Sequence, residues 1–126
     1  MKGINGIKYN GIERRRYPRF NVIASVICSL VDREDRLETT TADNISLGGI
    51  CAIVSEEIVK ANRLFLSILF PNGGGHIYTE ARVVWAKEIP VYFDTKLNYE
   101  VGLEFVDISE EDRQKISRYI ENNLTG

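Results

Sequence analysis

The 126-residue sequence holds one histidine, two cysteines and one tryptophan, and that scarcity removes whole classes of chemistry. With His76 alone, and with Cys28 and Cys51 far apart, the usual four-ligand zinc site cannot be assembled. His76 has no evident acid or nucleophile partner and reads as a surface residue. No nucleophile, base and orienting group form a set, so no catalysis and no cofactor are expected. The stretch PNGGGH lacks the Lys-Ser/Thr end of a phosphate-binding loop and reads as a hairpin turn. No apolar run approaches the ~20 residues that span a bilayer. The N-terminal MKGINGIKYNGI lacks the apolar core of a secretory signal. No membrane partner and a cytoplasmic location are therefore expected. In a reducing compartment Cys28 and Cys51, each in an apolar run, read as small buried hydrophobes rather than a disulfide.

What is present is enough for one domain with a real core, since 44% of residues are hydrophobic. The net charge of −2 conceals an asymmetry. Residues 1–20 carry Lys2, Lys8, Arg14, Arg15, Arg16 and Arg19 against Glu13, a net +5, which leaves −7 for the rest. A basic leader on an acidic body points to an anionic ligand held at one end.

Residues 1–13, with three glycines and two asparagines, read as a flexible leader, and 14–126 as the domain. From Phe20 the pattern has the period of strands. FNVIASVICSL alternates Val22, Ala24, Val26, Cys28 and Leu30 against Ile23, Ser25, Ile27 and Ser29. VDREDR reads as a charged turn, LETTTADN as a second strand and GGICAIV as a third. NRLFLSILF, with Leu64, Leu66, Ile68 and Phe70 on one face, HIYTEARVVWAKEI, and NYEVGLEFVD, alternating Tyr99, Val101, Leu103 and Phe105 against Asn98, Glu100, Gly102 and Glu104, complete six, with PVYFDTK as a loop. After Ser109, a good N-cap, Glu110, Glu111 and Asp112 suit the positive end of a helix. Ile116, Tyr119, Ile120 and Leu124 then follow at helical spacing, which predicts a helix of roughly 14 residues. Glu56 and Glu57 read as solvated helix-start or loop charges. Six strands and one helix imply a mainly β fold, an antiparallel barrel with the helix packed on it or across one end.

Two features carry the functional reading. A guanidinium is a planar fork that matches phosphate and the O6/N7 edge of guanine, and it stacks on bases. Arg14, Arg15, Arg16 and Arg19 could thus wrap a guanine nucleotide. On the arginines alone, a solvated basic tail or a non-specific nucleic-acid arm accounts for them equally well. The second feature is ADNISLGGICAI. Asn44 and Ser46 can bond neighbouring backbone or a ligand edge. Gly48 and Gly49 permit positive φ and close approach of a ligand to the backbone. On its own this motif reads first as a tight bend with a serine in it.

Together, Arg15-x-x-x-Arg19 followed by Asn44-x-Ser46-x-x-Gly49 resembles the paired motifs of PilZ domains, bacterial receptors for cyclic di-GMP. ARVVWA and YEVGLEFVDISEEDRQKISRYI resemble the late strands and closing helix of that family, so the likeness covers about residues 13–122. The resemblance implies a six-stranded antiparallel PilZ-type barrel with a C-terminal helix and a flexible basic leader. It implies that Arg15 and Arg19 grip a guanine edge and phosphates, while Asn44, Ser46 and Gly49 contact the other guanine. Many members have aspartate where this chain has Asn44; an amide accepts less well from guanine N1–H and N2–H. Some members bind an intercalated pair of ligands, and the extra charge of Arg14 and Arg16 favours a pair here. Trp85 is read first as core packing, and second as an aromatic near the ligand. Gly102 is read as relieving crowding on its strand. The implied protein is a receptor or adaptor that signals to a downstream protein, as a monomer or a ligand-bridged dimer, with no nucleic-acid partner. The alternatives are a PilZ-fold adaptor that binds no nucleotide, and a nucleic-acid-binding barrel with a basic arm.

Overall fold

Apolar residues at every second position give each strand one face that must leave water, and a closed barrel buries all such faces at once. The computed structural model describes residues 20–71, 73–90 and 98–125, so the leader at 1–13 lies outside the described residues. The strands are β1 (Phe20–Leu30), β2 (Arg33–Ile45), β3 (Gly49–Val54), β4 (Arg63–Leu69), β5 (His76–Glu88) and β6 (Tyr99–Val106). They form a closed antiparallel barrel in the order β1-β2-β3-β6-β5-β4, with β4 pairing back onto β1. The rows expected to face inward do so: Ala24, Val26 and Cys28 from β1, Leu64, Leu66 and Ile68 from β4, Val101 and Leu103 from β6. Both cysteines are free and buried. Burial, with Glu38 adding to it, pushes the Cys28 thiol up to about 12.

Two differences from the sequence reading are local. VDREDR is not all turn: β2 begins at Arg33, and the turn shrinks to residues 31–32. Glu56 and Glu57 open a short helix, α1 (Glu56–Ala61). The Ser55 hydroxyl accepts the Ile58 amide at its start, and Asn62 ends it at φ 69°. The Glu38 carboxylate accepts from the Ser55 amide at 3.1 Å and from its hydroxyl, which ties this cap to β2. One side chain of α1, Ile58, is fully buried and joins the barrel core.

α2 (Glu110–Thr125) starts as the sequence predicts, with the Ser109 hydroxyl accepting the Asp112 amide at 3.1 Å. It buries Ile116 and Ile120, and Tyr119 stacks on Phe70 at 4.7 Å. Lys115 donates to the His76 carbonyl at 3.1 Å, and Asp112 accepts the Tyr78 amide at 3.3 Å, which fix the helix to β5.

Candidate ligand-binding face

Two single-residue bulges decide what the outside of the barrel carries. In β2, Ala42 pairs with Ala52 and Asn44 with Cys51, so Asp43 is an extra residue. Ala42 is buried in the core, and strict alternation would send Asn44 inward as well. The bulge turns Asn44 outward and returns Ile45 to the core. In β5, Val83 pairs with Leu103 and Trp85 with Gly102, so Val84 is the extra residue. Ile77, Thr79 and Ala81 are buried and Val83 packs on the core, so alternation would also send Trp85 inward. Instead the indole is 40% exposed. The core-packing expectation for Trp85 is thus corrected, and the physical reason is one inserted residue that inverts the face of everything after it.

The register then assembles a row. Trp85 pairs with Gly102, Gly102 with Cys51, and Cys51 with Asn44, crossing β5, β6, β3 and β2. Directly paired residues of an antiparallel sheet share a face. A Cβ on Gly102 would meet the Trp85 indole at 2.2 Å, so this glycine leaves the space the ring occupies, as the crowding reading holds. One row further along, Arg82 pairs with Glu104 and Glu104 with Gly49. The Arg82 Nε donates to Glu104 Oε1 at 2.7 Å, and both side chains are about half exposed.

The Asn44–Gly49 segment is braced from within. Ser46 is 4% exposed, and its hydroxyl accepts from the Gly48 amide at 3.1 Å and the Gly49 amide at 3.2 Å. The Ser46 amide donates to the Gly49 carbonyl at 2.9 Å, and the Gly48 carbonyl accepts the Phe105 amide at 2.9 Å. The positive-φ expectation for Gly48 and Gly49 is corrected: among described glycines only Gly73 and Gly75 have positive φ. Gly49 is needed for another reason. A Cβ there would lie 2.0 Å from the Leu103 carbonyl oxygen, so β3 runs too close to β6 for any side chain. Ser46 and Gly49 therefore shape the turn, while Asn44, with its amide donating to Asp43 at 3.3 Å, stands on the outer face.

Arg14, Arg15, Arg16 and Arg19 lie outside the described residues. His76 is half-buried rather than a bare surface residue: its Nε2 is 2.6 Å from the Ser67 hydroxyl, and its ring meets Tyr78 at 4.3 Å. Among the described residues no three His, Cys, Asp or Glu side chains form a metal-holding group, and no helix is long and apolar enough to cross a membrane. The sequence reading missed Arg82 and Glu104. The alternation of β6 already placed Glu104 beside Gly102, but only the strand order shows that Arg82 and Gly49 flank it.

Six antiparallel strands closed into a barrel, with α2 packed against it, place this chain in the class of small closed β-barrel domains with a C-terminal helix. Residues 13–122 match the PilZ domain family model, and the chain belongs to that family. Similar solved structures include the inhibitor of motility MotI/DgrA of Bacillus subtilis, at 25% identity and a TM-score of 0.68 over 90% of this chain and 53% of that one. YcgR of Escherichia coli, solved in complex with c-di-GMP, matches at 17% identity and a TM-score of 0.66 over 90% of this chain and 47% of that one. The MrkH–c-di-GMP complex of K. pneumonia matches at 15% identity and a TM-score of 0.68 over 90% and 53%. This chain thus spans about half the length of these proteins. A search of the curated proteins finds no match.

Proposed function

We propose that this chain is a cyclic di-GMP receptor without catalytic activity, and that its arginine segment closes over the outer face when ligand binds. The observation that carries this reading is the row joining Asn44 to Trp85, with the arginine-bearing segment attached at its end. β1 begins with Phe20 opposite Ile45, and Arg19 is covalently next to Phe20. From Asn44 to Trp85 the row crosses three strand spacings, about 14 Å. Arg15, five residues before Phe20, has a main-chain reach of up to about 17 Å. Both arginines of the R-x-x-x-R pair can therefore meet a ligand lying on this row. Family membership and the cyclic di-GMP complexes of similar domains support the same ligand.

In this mechanism Arg15 and Arg19 clamp guanine edges and phosphates against Asn44, the Ser46-braced turn through Gly49, and Trp85. Arg14 and Arg16 add charge for a second, intercalated ligand molecule. Ordering the segment costs free energy, which charge-assisted hydrogen bonds of about 1.5–3 kcal/mol each offset. Micromolar or better affinity, about −8 kcal/mol or more favourable, is expected. The ordered segment changes the surface offered to a downstream protein in the cytoplasm, and a ligand pair can bridge two chains.

Calorimetric titration tests the reading. Saturable binding of cyclic di-GMP, with no comparable heat from GMP, cyclic di-AMP or duplex DNA, is the expected result. Absence of heat would favour the adaptor that binds no nucleotide. Equal binding of many oligonucleotides with a steep salt dependence would favour the basic-arm reading. The stoichiometry from the same titration separates one ligand per chain from two.

A further inference from the structure

We infer that Glu104, held by Arg82, is the group that reads the base of the ligand, by accepting hydrogen bonds from guanine N1–H and N2–H. This rests on the cyclic di-GMP reading and names a specificity residue within that site.

The placement comes from two adjacent rows. A Cβ on Gly102 would meet the indole Nε1, Cε2 and Cδ1 atoms, so the Trp85 ring lies across β6 directly over Gly102. Glu104 is two residues further along β6 on the same face, about 7 Å away. A purine stacked on that indole therefore brings one edge to the Glu104 carboxylate. Guanine presents two adjacent donors on its Watson–Crick edge, and a carboxylate accepts both, while an amide offers one acceptor group and two donors. Asn44, the motif residue on this face, is an amide and donates to Asp43. Glu104 supplies what Asn44 cannot.

Arg82 makes such a carboxylate tolerable beside an anionic ligand. Its Nε holds Oε1 at 2.7 Å, which sets the orientation of the carboxylate and offsets its charge. The carboxylate is 49% exposed, so acceptor capacity remains for a ligand. On the far side Gly49 has no side chain to fill the space above β3. Other carboxylates lie on or near this face. Glu80, two residues before Arg82 on β5, is held by Arg63. Glu100 flanks Gly102 from the other direction, opposite Lys87, and Asp43 is the bulge residue already engaged with Asn44.

The test uses calorimetry with cyclic di-GMP and cyclic di-IMP, whose hypoxanthine bases lack the N2 amine. Wild type is expected to prefer cyclic di-GMP by roughly tenfold or more, the effect of one charge-assisted hydrogen bond. Glu104→Gln is expected to weaken cyclic di-GMP binding by roughly ten- to hundredfold and to erase most of that preference. The direction is diagnostic, because removing a negative charge near a dianion without a specific contact would tighten binding. Arg82→Ala is expected to narrow the preference as well, by releasing the carboxylate. Glu100→Gln and Asp43→Asn serve as controls that keep the preference. The inference is overturned if Glu104→Gln keeps both affinity and preference, or if a control loses the preference instead. Melting temperatures of all variants confirm that the barrel is intact. If wild type itself binds no cyclic di-GMP, the receptor reading fails and takes this inference with it.

Discussion

Gly49 and Gly102 sit on neighbouring strands, neither in a left-handed conformation, and an alanine at each should have opposite consequences. At Gly49 the new Cβ would lie 2.0 Å from the Leu103 carbonyl oxygen and 3.0 Å from its carbon. That obstacle is backbone inside a closed barrel, so relief needs β3 and β6 to separate by more than about 1 Å, since Cβ contacts under ~3 Å are not sustained. The separation would strain the Phe105 amide to Gly48 carbonyl bond and the Ser46–Gly49 bonds. Overpacking of about 1–3 kcal/mol plus one or two weakened hydrogen bonds of about 1 kcal/mol each gives roughly 3 kcal/mol. For a domain of this size that is about 10 °C in Tm. At Gly102 the obstacle is the Trp85 ring, 40% exposed and able to swing into solvent. Gly102→Ala should therefore cost less than about 1 kcal/mol, yet displace the only tryptophan. Thermal melts followed by circular dichroism measure the first effect, and the emission maximum of Trp85 measures the second. A Gly49→Ala melt within about 2 °C of wild type would refute the packing argument. So would a Gly102→Ala variant as destabilised as Gly49→Ala.

Ser46→Ala leaves the partly buried Gly48 amide and the buried Gly49 amide without their acceptor, and urea unfolding should show a loss of about 1–3 kcal/mol. An unchanged midpoint would show that the hydroxyl is dispensable. Arg15→Ala and Arg19→Ala should each weaken cyclic di-GMP binding at least tenfold, about 1.4 kcal/mol, in calorimetry, with wild-type-like binding defeating the clamp. The Cys28 thiol, at about 12 against an ordinary 9.0, keeps its proton in the native state where the unfolded chain releases it. Its contribution is complete below about pH 9 and is lost as pH rises toward 12, by up to about 1.4 kcal/mol per unit. Cys28→Ala should flatten that alkaline decline in urea unfolding between about pH 8.5 and 10.5, and parallel curves would refute the assignment.

Most of the barrel was legible because it follows from a period. Ala24-x-Val26-x-Cys28, Leu64-x-Leu66-x-Ile68 and Val101-x-Leu103 read as inward rows from the sequence and are inward rows in the structure. Ser109 and the acids after it marked the start of α2 for reasons of capping and dipole that need no tertiary context. α1 escaped because it is only 6 residues long, and its one buried anchor, Ile58, defines no helical stripe. Its cap also depends on Glu38, 17 residues earlier on another strand.

The outer face was less legible for a sharper reason. A period predicts faces only while it is unbroken, and both residues that make this face distinctive follow a break. Trp85 sits in the run Ile77, Thr79, Ala81, Val83, whose parity assigns it to the core, and Val84 reverses that parity. Asn44 follows buried Ala42 and escapes the core by the same device at Asp43. Neither bulge is marked by glycine or proline, because an extra residue can be accommodated by local twist with ordinary side chains. Pairing register alone reveals them, and register is a property of two strands. The motif residues and the aromatic could thus be named one by one from the chain. Their arrangement as one row, with Glu104 and Arg82 beside it, required the strand order β2-β3-β6-β5. Both bulges therefore act on the proposed site through geometry, since deleting either residue would leave every proposed contact residue in the sequence and turn one of them into the core.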